Sequence, residues 1–178
     1  MGADISAGTC ARYLPLIIKG STLEGIDYHM PVASAQVKSA LILATLYAKS
    51  PSCIHQPAVC RNHTELLLQA FGGRIETQGN TITAYPARHL YGQNIKIPGD
   101  ISSAAFLMTA GLLVPNSMLV LKEVGLNPTR TGILDVFHQM GADISVENLS
   151  NSGGEITGDI IVKTSYLKGT VISGGLIP

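Results

Sequence analysis

The apolar and polar positions along the chain predict two kinds of helix. Residues 34–47 and 102–113 are apolar on nearly every side of a helix, and each segment begins at a serine, a good N-cap. A helix that is apolar all round is buried, so we expect both in the interior. Residues 64–71 and 132–140 carry apolar residues at helical spacing and are followed by glycine, which is typical of amphipathic helices.

Short strands are predicted on both sides of each apolar helix, near residues 25–28, 52–55, 94–97 and 118–121. After each amphipathic helix, apolar and polar residues alternate, most clearly over 73–84, which indicates a β-hairpin. The order of elements is therefore βαβαββ. A buried helix beside an amphipathic one favours an α/β (α+β) fold with helices between sheets or inside a ring of such units.

A sequence repeat supports this division. Met1–Ser6 is identical to Met140–Ser145, and Phe71–Glu76 is a weaker copy, so the copies begin about 70 residues apart. Arg61 and Arg130 each lie ten residues before the copy that follows them. Even spacing of this kind is typical of stacked structural units.

The repeat also predicts where the units begin and end. We expect residues 1–19 to be the closing hairpin of a preceding unit, 20–91 and 92–165 to be complete units, and 166–178 to be the first strand of a further, truncated unit. The chain is therefore expected to be a piece of a longer protein.

Composition excludes several classes of protein. Hydrophobic residues make up 46% of the chain and charged residues 13%, which excludes a disordered chain. Lys plus Arg and Asp plus Glu both number 12, so no general attraction to nucleic acid or an anionic membrane is expected, and any anion site must be local. No apolar stretch approaches the roughly 20 residues that span a bilayer, and no signal peptide opens the chain. We predict a cytoplasmic protein.

Cysteines and histidines do not indicate a metal or disulfide site. Cys10, Cys53 and Cys60 are odd in number and lack C-x-x-C spacing, which fits a reducing compartment. Cys10 has no base nearby in the sequence, so a small structural residue is favoured over a nucleophile. The histidines show neither H-x-x-x-H nor H-E-x-x-H spacing, so a zinc site is not supported.

The start of the first apolar helix is the main candidate for an anion site. Helix N-termini attract phosphate or carboxylate, and Ser34 and Gln36 are neutral donors there. The alternative is that Ser34 only caps the helix and Gln36 is solvated. Arg61 either grips phosphate oxygens or, like Arg130 at the equivalent position, has a structural role.

Two further segments are interpreted as mainly structural. In the second repeat, Asp100 is predicted to cap the apolar helix, with Ser103 three residues later, and this is favoured over the alternative of a second helix end that faces a ligand. Thr129 or Thr131 is predicted to cap the amphipathic helix after the Asn-Pro turn.

Four segments together resemble the EPSP synthase family, in order and spacing: Pro31–Ser39, Arg61–Glu65, Pro98–Ala105 and Asn127–Gly132. The resemblance covers essentially the whole chain. It implies the two-lobe enolpyruvyl transferase fold, whose repeated βαβαββ units pack buried helices against mixed four-stranded sheets. It also implies a transferase that moves the enolpyruvyl group of phosphoenolpyruvate to the 5-hydroxyl of shikimate 3-phosphate, without a metal or organic cofactor.

The resemblance implies roles for individual residues. Ser34 and the backbone of Ala35 are expected to bind the shikimate phosphate, Gln36 to touch both substrates and Arg61 to face the same phosphate. Family members usually have serine where this chain has Cys60. Because a thiol is a weak donor, that phosphate contact is expected to be weakened or replaced by Arg61.

The residues that carry out the chemistry are expected outside this chain, with the catalytic aspartate just beyond Pro178. No catalytic residue is therefore predicted within it, its partners include the missing segments of its own parent, and the isolated chain is expected to be inactive. Two alternatives stay open: a fragment of UDP-N-acetylglucosamine 1-carboxyvinyltransferase, which shares the repeat, and a non-catalytic repeat scaffold.

Overall fold

The computed structural model describes residues 1–8 and 14–173. Cys10 lies outside the described residues. The elements in chain order are β1 (Asp4–Ala7), β2 (Leu16–Lys19), β3 (Asp27–His29), α1 (Ala35–Thr45), β4 (Ser52–His55), α2 (His63–Ala70), β5 (Ile75–Gln78), β6 (Thr81–Ala84), α3 (Ile101–Leu113), β7 (Met118–Gly125), α4 (Gly132–Gln139), β8 (Asp143–Ser152) and β9 (Glu155–Lys163). The chain divides into two compact units, Met1–Cys60 with Phe71–Gly92, and Arg61–Ala70 with the residues from Gln93 onward.

The first unit contains a mixed four-stranded sheet and the hairpin β1–β2. The strand order of the sheet is β3-β4-β6-β5, with β3 parallel to β4 and the other pairs antiparallel. Gly25, just before β3, allows a very close approach to the next strand, because a Cβ there would lie 2.0 Å from the carbonyl oxygen of Pro51.

Helix α1 packs on this sheet through one face. Lys38, Ile42 and Thr45 are buried, at the spacing that places side chains on one side of a helix. Val37 is 42% exposed and Leu43 is 47% exposed on other sides. In the described chain, α1 therefore buries the side that faces this sheet, and its other sides are exposed.

The second unit contains the three-stranded antiparallel sheet β7-β9-β8, on which α3 packs. Gly111 brings α3 close to the sheet, since a Cβ there would lie 3.3 Å from Val162 Cγ1 and 3.4 Å from Leu119 Cβ. Phe106 is 81% exposed, so α3 also buries only part of its surface. The buried core comprises Ile101, Ala104, Met108, Leu112, Val124, Leu126, Leu134, Phe137, Ile144, Ile160 and Val162.

Two predicted strands are not formed. Residues 94–97 are irregular, and the ladder contact nearby is a single parallel bridge between Gly99 and Val124. The second sheet, as far as the described residues extend, therefore has three strands, where four were expected. Residues 166–173 also form no strand, and 174–178 lie outside the described residues. A strand depends on hydrogen bonds from a neighbouring strand, which an apolar-polar alternation alone does not supply.

The mixed α/β class is otherwise confirmed, with helices α1 to α4 alternating with the strands. In the described part of the chain, none of the helices has the length and apolar character needed to cross a membrane. The unit boundaries proposed from the repeat stay a prediction.

Candidate functional site

The start of α1 has a capping residue and backbone N–H groups that the helix itself does not bond. Ser34 is the N-cap, with extended backbone angles, and its Oγ accepts a hydrogen bond from the N–H of Val37 at 3.3 Å. The N–H groups of Ala35 and Gln36 lie in the first turn, where the helix itself offers no acceptor. The first turn contains no acidic side chain, so the partial positive charge of this helix end is not offset locally.

The two interpretations of Ser34 are compatible. A serine hydroxyl has two lone pairs and one proton. One lone pair accepts from Val37, which is the capping role. The hydroxyl proton is still able to point to an anion in front of the helix.

Behind this helix start, a buried amino group holds the following loop. Lys38 has no solvent exposure, and its Nζ donates to Gln56 Oε1 at 3.4 Å and to the carbonyl oxygen of Cys60 at 3.2 Å. The N–H and the thiol of Cys60 also donate to Gln56 Oε1, at 3.4 and 3.2 Å. The Cys60 thiol is therefore directed at Gln56.

Arg61 belongs to the second compact unit. Its side chain is exposed, and no ion pair or hydrogen bond joins its guanidinium to any residue that the structure describes. The next residue, Asn62, accepts a hydrogen bond from Nδ2 of the buried Asn127 at 2.8 Å, and its carbonyl accepts from the N–H of Leu66 at the start of α2. The backbone beside Arg61 is thus anchored while its charged group stays accessible.

The equivalent arginine in the second repeat has a structural role. Arg130 Nη2 lies 2.8 Å from Asp100 Oδ1 and donates to Ser102 Oγ at 2.7 Å. Asp100 caps α3, as predicted, by accepting from the N–H and the hydroxyl of Ser103, both at 3.0 Å. The hydrogen bond from the Ser103 N–H is the largest cause that lowers the pKa of Asp100, and the Arg130 charge contributes less.

The predicted threonine cap of α4 is only partly confirmed. Thr131 occupies the N-cap position but its side chain makes no capping hydrogen bond. The polar group that organises this turn is Asn127, whose Oδ1 accepts from the N–H and the hydroxyl of Thr129 at 2.9 and 2.6 Å.

The two apolar helices therefore begin differently. At the N-cap of α3, the Asp100 carboxylate accepts from the N–H of Ser103 and also pairs with Arg130. At α1 the same position is Ser34, a neutral residue. Ser34, Ala35 and Gln36 are brought together on one helical turn; Arg61 stands in the other unit.

A second polar cluster was not found from the sequence. Asp27, His29 and His55 meet on β3 and β4, with His55 Nε2 2.8 Å from Asp27 Oδ1. Motifs at helical spacing do not reveal this cluster, because its residues lie on two paired strands. The available signal was a D-x-H alternation at the end of one predicted strand and a histidine at the end of the next.

Comparison with known proteins identifies the same family as the sequence motifs, over nearly the whole chain. The family model for EPSP synthase (3-phosphoshikimate 1-carboxyvinyltransferase) matches residues 1–173. The 3-phosphoshikimate 1-carboxyvinyltransferase of Desulforudis audaxviator is 53% identical over 178 residues, and that of Geobacillus kaustophilus is 49% identical. Each alignment covers 100% of this chain and 42% of the relative.

A solved structure is also similar. The EPSP synthase from Acinetobacter baumannii superposes with a TM-score of 0.89 and is 44% identical, covering 97% of this chain and 39% of that one. The chain thus spans about two fifths of the length of the proteins it matches. The family match, the identities and the superposition together establish that this chain belongs to the EPSP synthase family.

Proposed function

We propose that this chain supplies part of the shikimate 3-phosphate site of a 3-phosphoshikimate 1-carboxyvinyltransferase. The complete enzyme adds the 5-hydroxyl of shikimate 3-phosphate to phosphoenolpyruvate and then eliminates phosphate from the tetrahedral intermediate. The curated relatives that match the whole chain carry this enzyme name, which supports the shikimate substrate over a UDP-sugar or a purely structural role.

The observation that carries the proposal is the difference between the two helix starts. At α3, the Asp100 carboxylate occupies the anionic position in front of the helix and binds Arg130. At α1, Ser34 leaves that position without a charge of its own. A phosphate is suited to take the place of the missing carboxylate, because it offers oxygens to backbone N–H groups and to a guanidinium alike.

Each residue then has a defined part in binding. The hydroxyl of Ser34 donates to a phosphate oxygen while it still caps the helix, and the N–H of Ala35 approaches the same phosphate. The side-chain amide of Gln36, which is exposed, contacts both substrates. Arg61 offers its accessible guanidinium to the phosphate. None of these groups transfers a proton, so the role of this segment is binding and orientation.

The resemblance implies that the phosphoenolpyruvate clamp and the catalytic acid lie in segments absent from this chain. We therefore propose that the 178-residue chain has no transferase activity by itself. An assay of phosphate release from shikimate 3-phosphate and phosphoenolpyruvate tests this directly. Turnover at the rate of the full-length enzyme contradicts the proposal.

The binding role is tested by titrating shikimate 3-phosphate into the full-length enzyme that contains these residues. A hydrogen bond to a charged group contributes about 1.5–3 kcal/mol, so Arg61→Ala and Gln36→Ala are expected to weaken binding by about ten- to a hundredfold. Arg88→Ala and Gln93→Ala remove exposed residues of the same types and serve as matched controls. Equal affinity in the Arg61 and Arg88 variants contradicts the assignment, and tighter binding of UDP-N-acetylglucosamine indicates the sister enzyme.

A further inference from the structure

We propose that Asp27, His29 and His55 form a surface site for a late first-row divalent metal ion, with Zn²⁺ as the ion to be tested. One carboxylate oxygen and one nitrogen of each imidazole all lie within 4.8 Å of one another. The site shares no residue with Ser34, Ala35, Gln36 or Arg61. It is therefore independent of the proposed function.

The backbone of the first sheet brings the three residues together. Strands β3 and β4 are parallel, and His29 lies directly opposite His55 in the register. Side chains alternate between the two faces of a strand, so Asp27 and His29 point to the same side. The opposite side carries the fully buried Ile54, which leaves the cluster on the outer face of the sheet. The strand pairing therefore sets the spacing of the ligands.

The distances suit a metal ion after a small adjustment. Asp27 Oδ1 lies 2.8 Å from His55 Nε2 and 3.8 Å from His29 Nε2. Zinc bonds of about 2.0–2.2 Å in tetrahedral geometry place neighbouring ligand atoms about 3.3–3.6 Å apart. The two rings are stacked, with centroids 4.2 Å apart. Because the His29 side chain is 80% exposed, its ring is able to turn. One nitrogen of His29 and one nitrogen of His55 then point to the same ion.

A neighbouring hydroxyl orients one ligand. His55 Nδ1 lies 3.0 Å from Thr81 Oγ1, on the adjacent strand β6. Metal-binding histidines commonly engage a polar group through the second ring nitrogen, which holds the ring in place. A hydroxyl oxygen accepts hydrogen bonds, so Thr81 Oγ1 is able to accept from Nδ1–H in the tautomer that leaves Nε2 without a proton. Nε2 is then available to a metal.

The donor set defines the class of ion. Two imidazole nitrogens and one carboxylate oxygen suit Zn²⁺, Ni²⁺ or Cu²⁺, whereas Ca²⁺ and Mg²⁺ prefer all-oxygen sites. The carboxylate of Asp27 is 70% exposed, so water completes the coordination. The site is consequently open, and an additional ligand is able to reach the ion.

Isothermal titration of the 178-residue chain with Zn²⁺ tests the proposal. One ion is expected to bind at this site, and His29→Gln or His55→Gln is expected to weaken its affinity at least about tenfold, because loss of a group that merely orients a ligand already costs about 10–100-fold. The matched control is His89→Gln, which removes an exposed histidine outside the cluster. Circular dichroism of each variant verifies that the fold is kept. Equal affinities for the His55 and His89 variants overturn the proposal.

X-ray absorption at the zinc edge of the unchanged chain gives a second measurement that needs no variant. Nitrogen and oxygen neighbours with the outer-shell pattern of imidazole are expected. Cys53 lies opposite Asp27 on the same face, and its thiol contacts Thr83 Oγ1 at 3.8 Å. A shell dominated by sulfur, or loss of binding in Cys53→Ser, assigns the ion to a thiol and overturns the proposed carboxylate–histidine site.

Discussion

The ammonium of Lys122 donates a hydrogen bond of 2.8 Å to the carboxylate of Asp159 across strands β7 and β9. The same carboxylate accepts from Asn148 Nδ2 and from the N–H of Glu123, both at 2.9 Å. Both strands beside β9 shift register here, so one carboxylate joins three strands where their ladders are interrupted.

This network predicts a defined acid sensitivity. The hydrogen bonds from Lys122 and Asn148, with the Glu123 N–H, lower the pKa of Asp159 to about 2 in the folded protein. The unfolded value is about 3.9, so the stabilisation is complete above about pH 4 and is lost as the pH falls towards about 2. Asp159→Asn should reduce the slope of unfolding free energy against pH in that window, as measured by urea titrations.

Two lysine variants distinguish the contribution of this network to stability from that of an exposed ion pair. Lys122→Met should reduce the same slope, because Lys122 is the largest cause of the lowered pKa. Lys163 lies 3.9 Å from the exposed Asp143 and provides the matched control. Lys163→Met should change stability by less than about 1 kcal/mol, as is usual for exposed pairs. An unchanged slope in Asp159→Asn contradicts the role of this carboxylate.

A second prediction concerns the start of α3. Asp100→Ala removes the hydrogen bonds to Ser103 and the pair with Arg130, so it should lower the free energy of unfolding by about 0.5–2 kcal/mol. Asp100→Asn keeps an acceptor for the Ser103 N–H and loses mainly the charge. It should therefore lie between Ala and the unchanged chain in chemical denaturation. The idea fails if both variants unfold at the same denaturant concentration as the unchanged chain.

The buried amino group of Lys38 supports a third prediction. Lys38→Met keeps most of the side-chain volume but leaves Gln56 Oε1 and the Cys60 carbonyl without this donor. Loss of a buried partner costs about 1–3 kcal/mol, which thermal or urea unfolding will detect. Lys49→Met removes an exposed ion pair with Glu24 and is the control, with a much smaller expected effect. Equal losses in the two variants argue against a special role of Lys38.

A fourth prediction uses the contact between Gly25 and the Pro51 carbonyl. The alanine Cβ in Gly25→Ala would lie 2.0 Å from a backbone oxygen, which neither strand is able to avoid without moving. We expect destabilisation of at least about 1–3 kcal/mol, the range for overpacked sites. Gly20→Ala is the control, since a Cβ there has no neighbour within 4 Å. Thermal unfolding midpoints that agree for the two variants contradict the close approach.

Local pattern was enough to predict most elements. Period-2 alternation and glycine positions predicted β4 and the hairpin β5–β6, and the serine and aspartate caps predicted the starts of α1 and α3. These features depend on neighbouring residues in the chain. The repeated hexapeptide at Met1–Ser6 and Met140–Ser145 further indicated that the same order of elements recurs.

Other properties depend on distant partners. Residues 94–97 alternate like a strand but remain irregular, because strand formation requires a neighbouring ladder. Arg130 has a structural role because it meets Asp100, whereas the guanidinium of Arg61 bonds to no residue within 1–8 and 14–173. No spacing in the chain distinguishes these two arginines.

Residue order thus specified the elements, their recurrence and the neutral helix start at Ser34. The folded structure specified which polar groups meet, such as Asp27 with His55 and Lys122 with Asp159. The physical reason is the separation along the chain of the residues that interact. Helix periodicity, strand alternation and capping act over a few residues, whereas ion pairs and metal ligands depend on strand register and packing between residues far apart in the chain.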